Sequence, residues 1–244
     1  ISVGGLSGQP VHNYLLPQWI ETMHADSLAL QLTGWETGPV EPRFPWKARP
    51  DWISGEFAWP PPGLTLTFRY RAADLPAEKA GFVQGVEIAV HYILYDGLPL
   101  LCKWISLENQ SGRSVRLDGF KSEILAATEA ESVVDGKQRW LLPNITVDTD
   151  YRFGGMSDEN VFESSAAWTA DPLYATQVNY ERQTPCLLTC GPKIGPGIAI
   201  APGERWESFR TWELIHDRRD REREGLAIRR MYRTIAPWAL ENPI

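Results

Sequence analysis

Residues 64 to 71 alternate between apolar and polar side chains without interruption. The even positions are Leu64, Leu66, Phe68 and Tyr70, and the odd positions are Thr65, Thr67, Arg69 and Arg71. Successive side chains of an extended strand point to opposite faces, so this period of two predicts a β-strand with one buried face. The chain must therefore build a sheet with one apolar side.

A long β-hairpin is predicted next. Residues 86–95 form an apolar run that ends at Asp96 and Gly97, and residues 98–108 return along it. Asp-Gly is a preferred pair for a two-residue type I′ turn. Further strands are predicted at residues 115–125, 132–134, 139–142, 145–149, 176–181, 186–189, 198–200 and 205–215. Strand thus follows strand, as in a mainly β, antiparallel protein.

The last segment has helical periodicity. Asp217 is a candidate N-cap, and Pro237 marks the end of the predicted helix. An apolar stripe with helical spacing comprises Ile228, Met231, Tyr232 and Ile235. We therefore expect residues 1–216 to form the β domain and residues 217–244 to form a helix and a linker.

The net charge and the composition limit the classes of partner that the chain can bind. The 244 residues carry 24 Lys and Arg against 31 Asp and Glu, a net charge of −7, which argues against nucleic acid. No stretch has the roughly 18 apolar residues that a membrane span needs. The sequence begins without Met, so we expect any targeting segment to have been removed or to lie outside it, and no compartment is indicated. The three cysteines are predicted to be buried thiols.

The region between residues 36 and 63 is rich in proline and tryptophan. Its seven prolines exclude a regular helix or a central strand, and a long ordered loop of this kind is often functional. Indole rings suit the C–H faces of a sugar ring, and nearby ionic groups bind its hydroxyls. The candidate carbohydrate-binding residues are Trp46, Arg49, Asp51 and Trp52. Packing of the rings onto a sheet is the alternative.

Residues with catalytic or ligand chemistry are few elsewhere. Asp148 and Asp150 share a strand face, but solvated side chains are the favoured interpretation. His91 with Glu87 is the best acid–base pair on a sheet face, and a structural role is favoured for His91. Neither metal-ligand spacing nor a nucleotide or dinucleotide motif is present, so no metal and no cofactor is predicted.

Two regions resemble a known family. They are the hairpin of residues 86–112 with its continuation to residue 125, and the segment from Ala201 to Leu214 with the following helix. Together they resemble the N-terminal β-supersandwich domain of glycoside hydrolase family 36, the α-galactosidase-like proteins. The likeness extends over about half of the chain and is one of pattern.

The resemblance implies a two-sheet, galactose mutarotase-like supersandwich, followed by a linking helix and a catalytic (β/α)₈ barrel. It also implies that the catalytic aspartates lie beyond Ile244, so that this chain by itself is non-catalytic and helps to shape a carbohydrate pocket. Family members often use an Asp of this domain near the active site, and Asp51 is the nearest match here.

Two alternatives remain open. One is a free-standing carbohydrate-binding module, and the other is a mutarotase-type aldose epimerase that uses His91 and Glu87. The sequence does not identify the sugar, and a homo-oligomer is compatible with it.

Overall fold

The computed structural model describes residues 6–7, 24–25, 29–47, 49, 58–72, 77–127, 142–151, 165–171, 185–217 and 220–240. Within these ranges the protein is mainly β, with antiparallel strand pairing throughout and a helix near the C-terminus. The predicted fold class, an antiparallel two-layer β-sandwich with a C-terminal helix, is confirmed.

The strands are β1 (Leu6–Ser7), β2 (His24–Ala25), β3 (Gln31–Pro39), β4 (Gly63–Arg71), β5 (Val86–Tyr95), β6 (Leu100–Asn109), β7 (Val115–Leu117), β8 (Glu123–Ala126), β9 (Ile145–Thr149), β10 (Ala166–Ala170), β11 (Pro185–Cys190), β12 (Ile198–Ile200), β13 (Arg205–Glu207) and β14 (Thr211–Ile215). The helices are α1 (Ala77–Val83) and α2 (Arg221–Ile235), and a 3₁₀ turn covers Pro237–Leu240.

The large sheet has the strand order β3-β4-β5-β6-β14-β9 in the described part of the chain, and β13 also pairs with β6. The predicted hairpin forms its centre, with His91 opposite Trp104. Gly97 has a φ of 71°, which the hairpin turn requires and which glycine adopts without strain. The prediction of a two-residue turn is wrong, because the connection between β5 and β6 has four residues, 96–99, of which Asp96 and Gly97 are the first two.

The second layer covers one face of this sheet. Strands β10, β11 and β8 form one part of it, and β12 with β7 forms another. Leu107 of the large sheet is buried in a cluster with Val86 and Ile200. The predicted single strand at residues 115–125 is wrong, because it divides into β7 and β8, which belong to different sheets.

Helix α2 covers the opposite face of the sheet. Met231 has no exposed surface and packs in one cluster with Cys102, Trp212 and Leu214. The N-cap prediction of Asp217 is wrong: Oδ1 of Asp220 accepts hydrogen bonds from the amides of residues 222 and 223. The stripe prediction is confirmed at Met231, which is the residue of α2 that is fully buried.

The remaining predictions about secondary structure, cysteines and membrane spans have different outcomes. The predicted strands at 132–134 and 176–181, and the one at 139–142 except for Leu142, lie outside the described residues. Strand β10 and helix α1 were not predicted, and β3 extends into the proline-rich region as far as Pro39 at the edge of the sheet. All three cysteines are buried and free, as predicted. Among the described residues, no helix is long and apolar enough to cross a membrane.

Candidate functional site

Arg43 ties the proline- and tryptophan-rich loop to the large sheet. Its Nη1 lies 3.2 Å from Oδ2 of Asp150, the residue that follows β9. Its guanidinium carbon lies 5.2 Å from the ring centre of Trp212 and 5.6 Å from that of Phe44. A guanidinium at such distances gains cation–π attraction in addition to the ion pair. The loop is therefore held on the face of the sheet that α2 also covers.

Aromatic rings from the loop contact one another and the C-terminal turn. The ring centres of Phe44 and Trp59 are 5.0 Å apart, and those of Trp46 and Trp59 are 6.0 Å apart in an edge-to-face arrangement. Phe44 also lies 5.4 Å from Trp238, whose side chain is about half exposed. We call Phe44, Trp46, Trp59 and Trp238 the aromatic cluster.

Trp59 has an unsatisfied donor in this cluster. Its Nε1 is buried and has no hydrogen-bond partner within the described part of the chain. Buried indole N–H groups usually find a partner, so an unsatisfied one is unusual in a folded protein. The cluster therefore combines apolar ring faces with one buried N–H group that no described residue satisfies.

The structure brings only part of the predicted site together. Trp46 joins the aromatic cluster, and Arg49 is exposed in the same loop. Asp51 and Trp52 lie outside the described residues. Sequence reasoning did not select Arg43, Phe44 or Trp238. Proline follows Phe44 and precedes Trp238, and an aromatic residue directly beside a proline is the signal that was available.

A stack of side chains lies beside the loop, on the face of the large sheet that α2 covers. The guanidinium carbon of Arg210 lies 4.5 Å from the ring centre of Trp104, and the ring of His91 stacks on Trp104 at 4.7 Å. The amide of Arg210 donates a 2.6 Å hydrogen bond to Oδ1 of Asp150. Asp150 thus links this stack to Arg43 and the loop.

Both ring nitrogens of His91 are engaged. Nδ1 lies 3.0 Å from Oγ1 of Thr67, and Nε2 lies 2.8 Å from Oγ of Ser106. Burial, followed by the nearby Arg205, Arg69 and Arg210, lowers the pKa of His91 to about 4. The imidazole is therefore neutral and hydrogen-bonded on both sides at neutral pH, which is the geometry of a structural histidine.

Both carboxylate oxygens of Glu87 also accept hydrogen bonds. Arg69 donates to its Oε1 at 2.8 Å, and Arg71 donates to its Oε2 at 2.7 Å. Burial acts to raise the pKa of Glu87, but the hydrogen bonds from the two arginines outweigh it and lower that pKa. The pair of His91 and Glu87 therefore has the contacts of two structural groups rather than those of an acid and a base facing a substrate.

The favoured interpretation as solvated side chains is wrong for Asp148, whereas Asp150 is an exposed residue as predicted. Asp148 is 4% exposed and accepts hydrogen bonds from the amide of Thr149 and the hydroxyl of Tyr232. Asp150 bonds Arg43 and the amide of Arg210. The carboxylate of Asp148 therefore joins α2 to the sheet, and the carboxylate of Asp150 joins the loop to it. In the described ranges, no three His, Cys, Asp or Glu side chains lie close enough together to hold a metal ion.

Comparison with known proteins gives a match in structure alone. No protein-family model matches the chain, and no curated protein sequence matches it. The fold resembles part of glycoside hydrolase family 36 α-galactosidases, the family that the sequence resembles.

A structure of AgaA from Geobacillus stearothermophilus with 1-deoxygalactonojirimycin is 14% identical, with a TM-score of 0.42 over 85% of this chain and 30% of that one. An AgaA structure with raffinose is 14% identical, with a TM-score of 0.43 over 88% and 31%. A structure of AgaB from the same organism is 14% identical, with a TM-score of 0.38 over 78% of this chain and 28% of that one. The chain therefore spans about a third of the length of these enzymes.

Proposed function

We propose that the chain is a non-catalytic domain of an α-galactosidase-like glycoside hydrolase, which packs on a catalytic barrel and helps to shape its carbohydrate pocket. The observation that carries the proposal is the contact between Phe44 of the loop and Trp238 of the C-terminal turn, 5.4 Å between ring centres. Trp238 is 52% exposed, so the aromatic cluster reaches the surface. An exposed aromatic surface of this kind marks a place where a partner or ligand binds.

The chemistry of the cluster suits a sugar. Indole rings offer flat apolar faces to the C–H groups of a pyranose, while indole N–H and arginine groups donate to its hydroxyls. Trp46, Arg49, Asp51 and Trp52 are the residues that we propose contact the sugar. Arg43 has a different part in this proposal, because its bonds to Asp150 and its stacking on Trp212 position the loop.

The first test is to read the coding sequence downstream of residue 244. An open reading frame with alternating strands and helices, and with aspartates at strand ends, supports the proposal. A stop codon directly after residue 244 contradicts it.

In the longer enzyme, Trp46→Ala should raise KM for an α-galactoside by about tenfold, since one stacking contact is lost. Trp35→Ala is the matched control, because Trp35 lies on edge strand β3 and is 65% exposed. Equal kinetics of the two variants would remove Trp46 from the pocket.

A free-standing carbohydrate-binding module is the second candidate, and the exposure of the aromatic cluster favours it. Quenching of tryptophan fluorescence by galactose in the isolated chain, abolished by Trp46→Ala, would support this candidate. The contacts of His91 and Glu87 do not favour the epimerase alternative. We expect a polarimetric mutarotation assay of the chain to show no rate above buffer. A homo-oligomer stays a prediction, which sedimentation measurements test.

A further inference from the structure

A cavity of about 260 Å³ opens on the other side of the large sheet. Trp206 of its wall packs in the cluster that contains Leu107 and Ile200, on the face that β7 and β12 cover. The aromatic cluster, by contrast, belongs to the face that carries Trp212 and α2. The two surfaces are therefore separated by the thickness of the sheet.

Four aromatic rings, joined in a row by three contacts, form much of the cavity wall. Phe120 lies 4.9 Å from Trp206 and 5.4 Å from Phe209, and Phe209 lies 5.2 Å from Tyr151. Each ring is fixed by at least one other ring, so the wall is held in place before any ligand arrives. A preformed wall reduces the ordering cost of binding.

Ile194 lies at the rim with 90% of its surface exposed. It belongs to the loop between β11 and β12, and Pro192 and Pro196 of the same loop complete the wall. An isoleucine exposed to this extent beside a row of aromatic rings indicates a surface that a ligand covers.

The lining also defines the chemistry of the ligand. Among the described residues that line this cavity, none carries a formal charge, which favours a neutral ligand. Tyr151 and Trp206 bear a hydroxyl and an N–H on otherwise apolar rings, which suits a ligand with both C–H faces and hydroxyl groups. Pockets for drug-sized molecules measure about 300 to 1,000 Å³, so this cavity fits something smaller, such as a single sugar ring.

We propose that this cavity is a carbohydrate-binding site for one neutral hexose ring, separate from the aromatic cluster. The choice of a sugar as ligand rests on the proposed function, and the existence of the site rests on the cavity. A proline-rich peptide is the competing ligand for an aromatic groove, and the experiment below separates the two.

The test follows the indole N–H signals of the ¹⁵N-labelled chain by NMR, with the Trp206 signal assigned from Trp206→Phe. D-galactose, D-glucose and D-mannose are each titrated to about 100 mM, a concentration at which a millimolar site saturates. We expect a saturable shift of the Trp206 signal with at least one hexose. A shift with a tri-proline peptide and none with the hexoses overturns the proposal, as does no shift at all.

Ile194→Asp tests the rim. We expect it to weaken hexose binding about fivefold or more, because an apolar wall contact is replaced by a charge. Leu226→Asp is the matched control, since Leu226 is an exposed apolar residue of α2, and it should leave the affinity unchanged. An affinity unaffected by Ile194→Asp contradicts the proposal.

Trp46→Ala distinguishes this site from the proposed function. The Trp206 response should persist in that variant, because Trp46 lies in the cluster on the other face. A response confined to the Trp46 signal would overturn the cavity site and leave the proposed function intact. A Trp206 response together with an unchanged KM of Trp46→Ala in the longer enzyme would support the cavity site and remove Trp46 from the proposed carbohydrate pocket.

Discussion

The hydroxyl of Tyr232 donates a 2.7 Å hydrogen bond to Oδ2 of Asp148, and so joins α2 to β9 at the end of the large sheet. Tyr232→Phe removes this hydrogen bond to the buried carboxylate. We expect the free energy of unfolding in urea to fall by about 1 to 2 kcal/mol. Tyr70→Phe is the control, because the structure shows no hydrogen bond from its hydroxyl among the described residues, and it should change stability by less than about 0.5 kcal/mol. Equal effects of the two changes would contradict the role of this bond.

Glu213 makes stability depend on pH. It is 4% exposed, its Oε1 has no hydrogen-bond partner in the described ranges, and Glu123 nearby already binds Lys103 at 2.9 Å. Burial, followed by the charge of Glu123, raises the pKa of Glu213 from 4.5 to about 7. The folded state therefore binds the proton more tightly than the unfolded state. The contribution of Glu213 to the free energy of unfolding is therefore complete below pH 4.5 and is lost as pH rises through 7.

Glu213→Gln keeps the neutral shape at every pH. We expect it to stabilise the protein at pH 8 by about 1 to 3 kcal/mol and to have little effect at pH 4.5, measured by urea unfolding at both values. Glu207→Gln is the control, since Glu207 forms an exposed ion pair with Arg205. An equal effect of Glu213→Gln at both pH values would rule out the ionisation of Glu213 as the cause.

His91 should stay neutral in mildly acidic solution. Its pKa of about 4 means that the unfolded chain takes up a proton first, so its contribution to stability is complete above pH 6.5 and declines as pH falls toward 4. NMR of the imidazole, assigned with His91→Gln, should show no titration between pH 8 and 5. A midpoint near 6.5 would show that the ring is accessible and not held by Thr67 and Ser106.

Arg43 should control the order of its loop. Arg43→Met removes the ion pair with Asp150 and the stacking on Trp212, and should cost about 1 to 2 kcal/mol and accelerate amide exchange at residues 41–47. Arg43→Lys keeps the charge without the planar group and should give an intermediate effect. Arg116→Met, in an ion pair with side chains more than 70% exposed, should change neither quantity.

The alternation at residues 64–71 and the apolar run at residues 86–95 predicted β4 and β5, although neither strand is buried on one face alone. In β4 the buried residue is Thr67 of the polar face, while Leu64 of the apolar face is 49% exposed. In β5 residues on both faces are buried, and the turn at Gly97 has the residue that its φ requires. The division of residues 115–125 was not predictable in the same way. Its two halves are both extended, and only their pairing with different strands, β12 and β11, separates them.

The candidate site was only partly predictable because its contacts join distant parts of the chain. Trp46 was selected from its local composition. Arg43 reaches Asp150, and Phe44 reaches Trp238, across more than a hundred residues each. The wall of the cavity beside Trp206 likewise contains residues from four separate connections between strands. The local sequence of one connection does not predict that it lies against the other three.

Met231, fully buried against Cys102, Trp212 and Leu214, has a consequence for biosynthesis. The β5–β6 hairpin emerges from the ribosome early, but its apolar face has no cover until more than a hundred further residues have been made. Unprotected apolar strands are prone to aggregation during that interval. We therefore expect nascent chains of this protein to bind chaperones that shield hydrophobic segments, and to be released from them only after the helix that contains Met231 has left the exit tunnel.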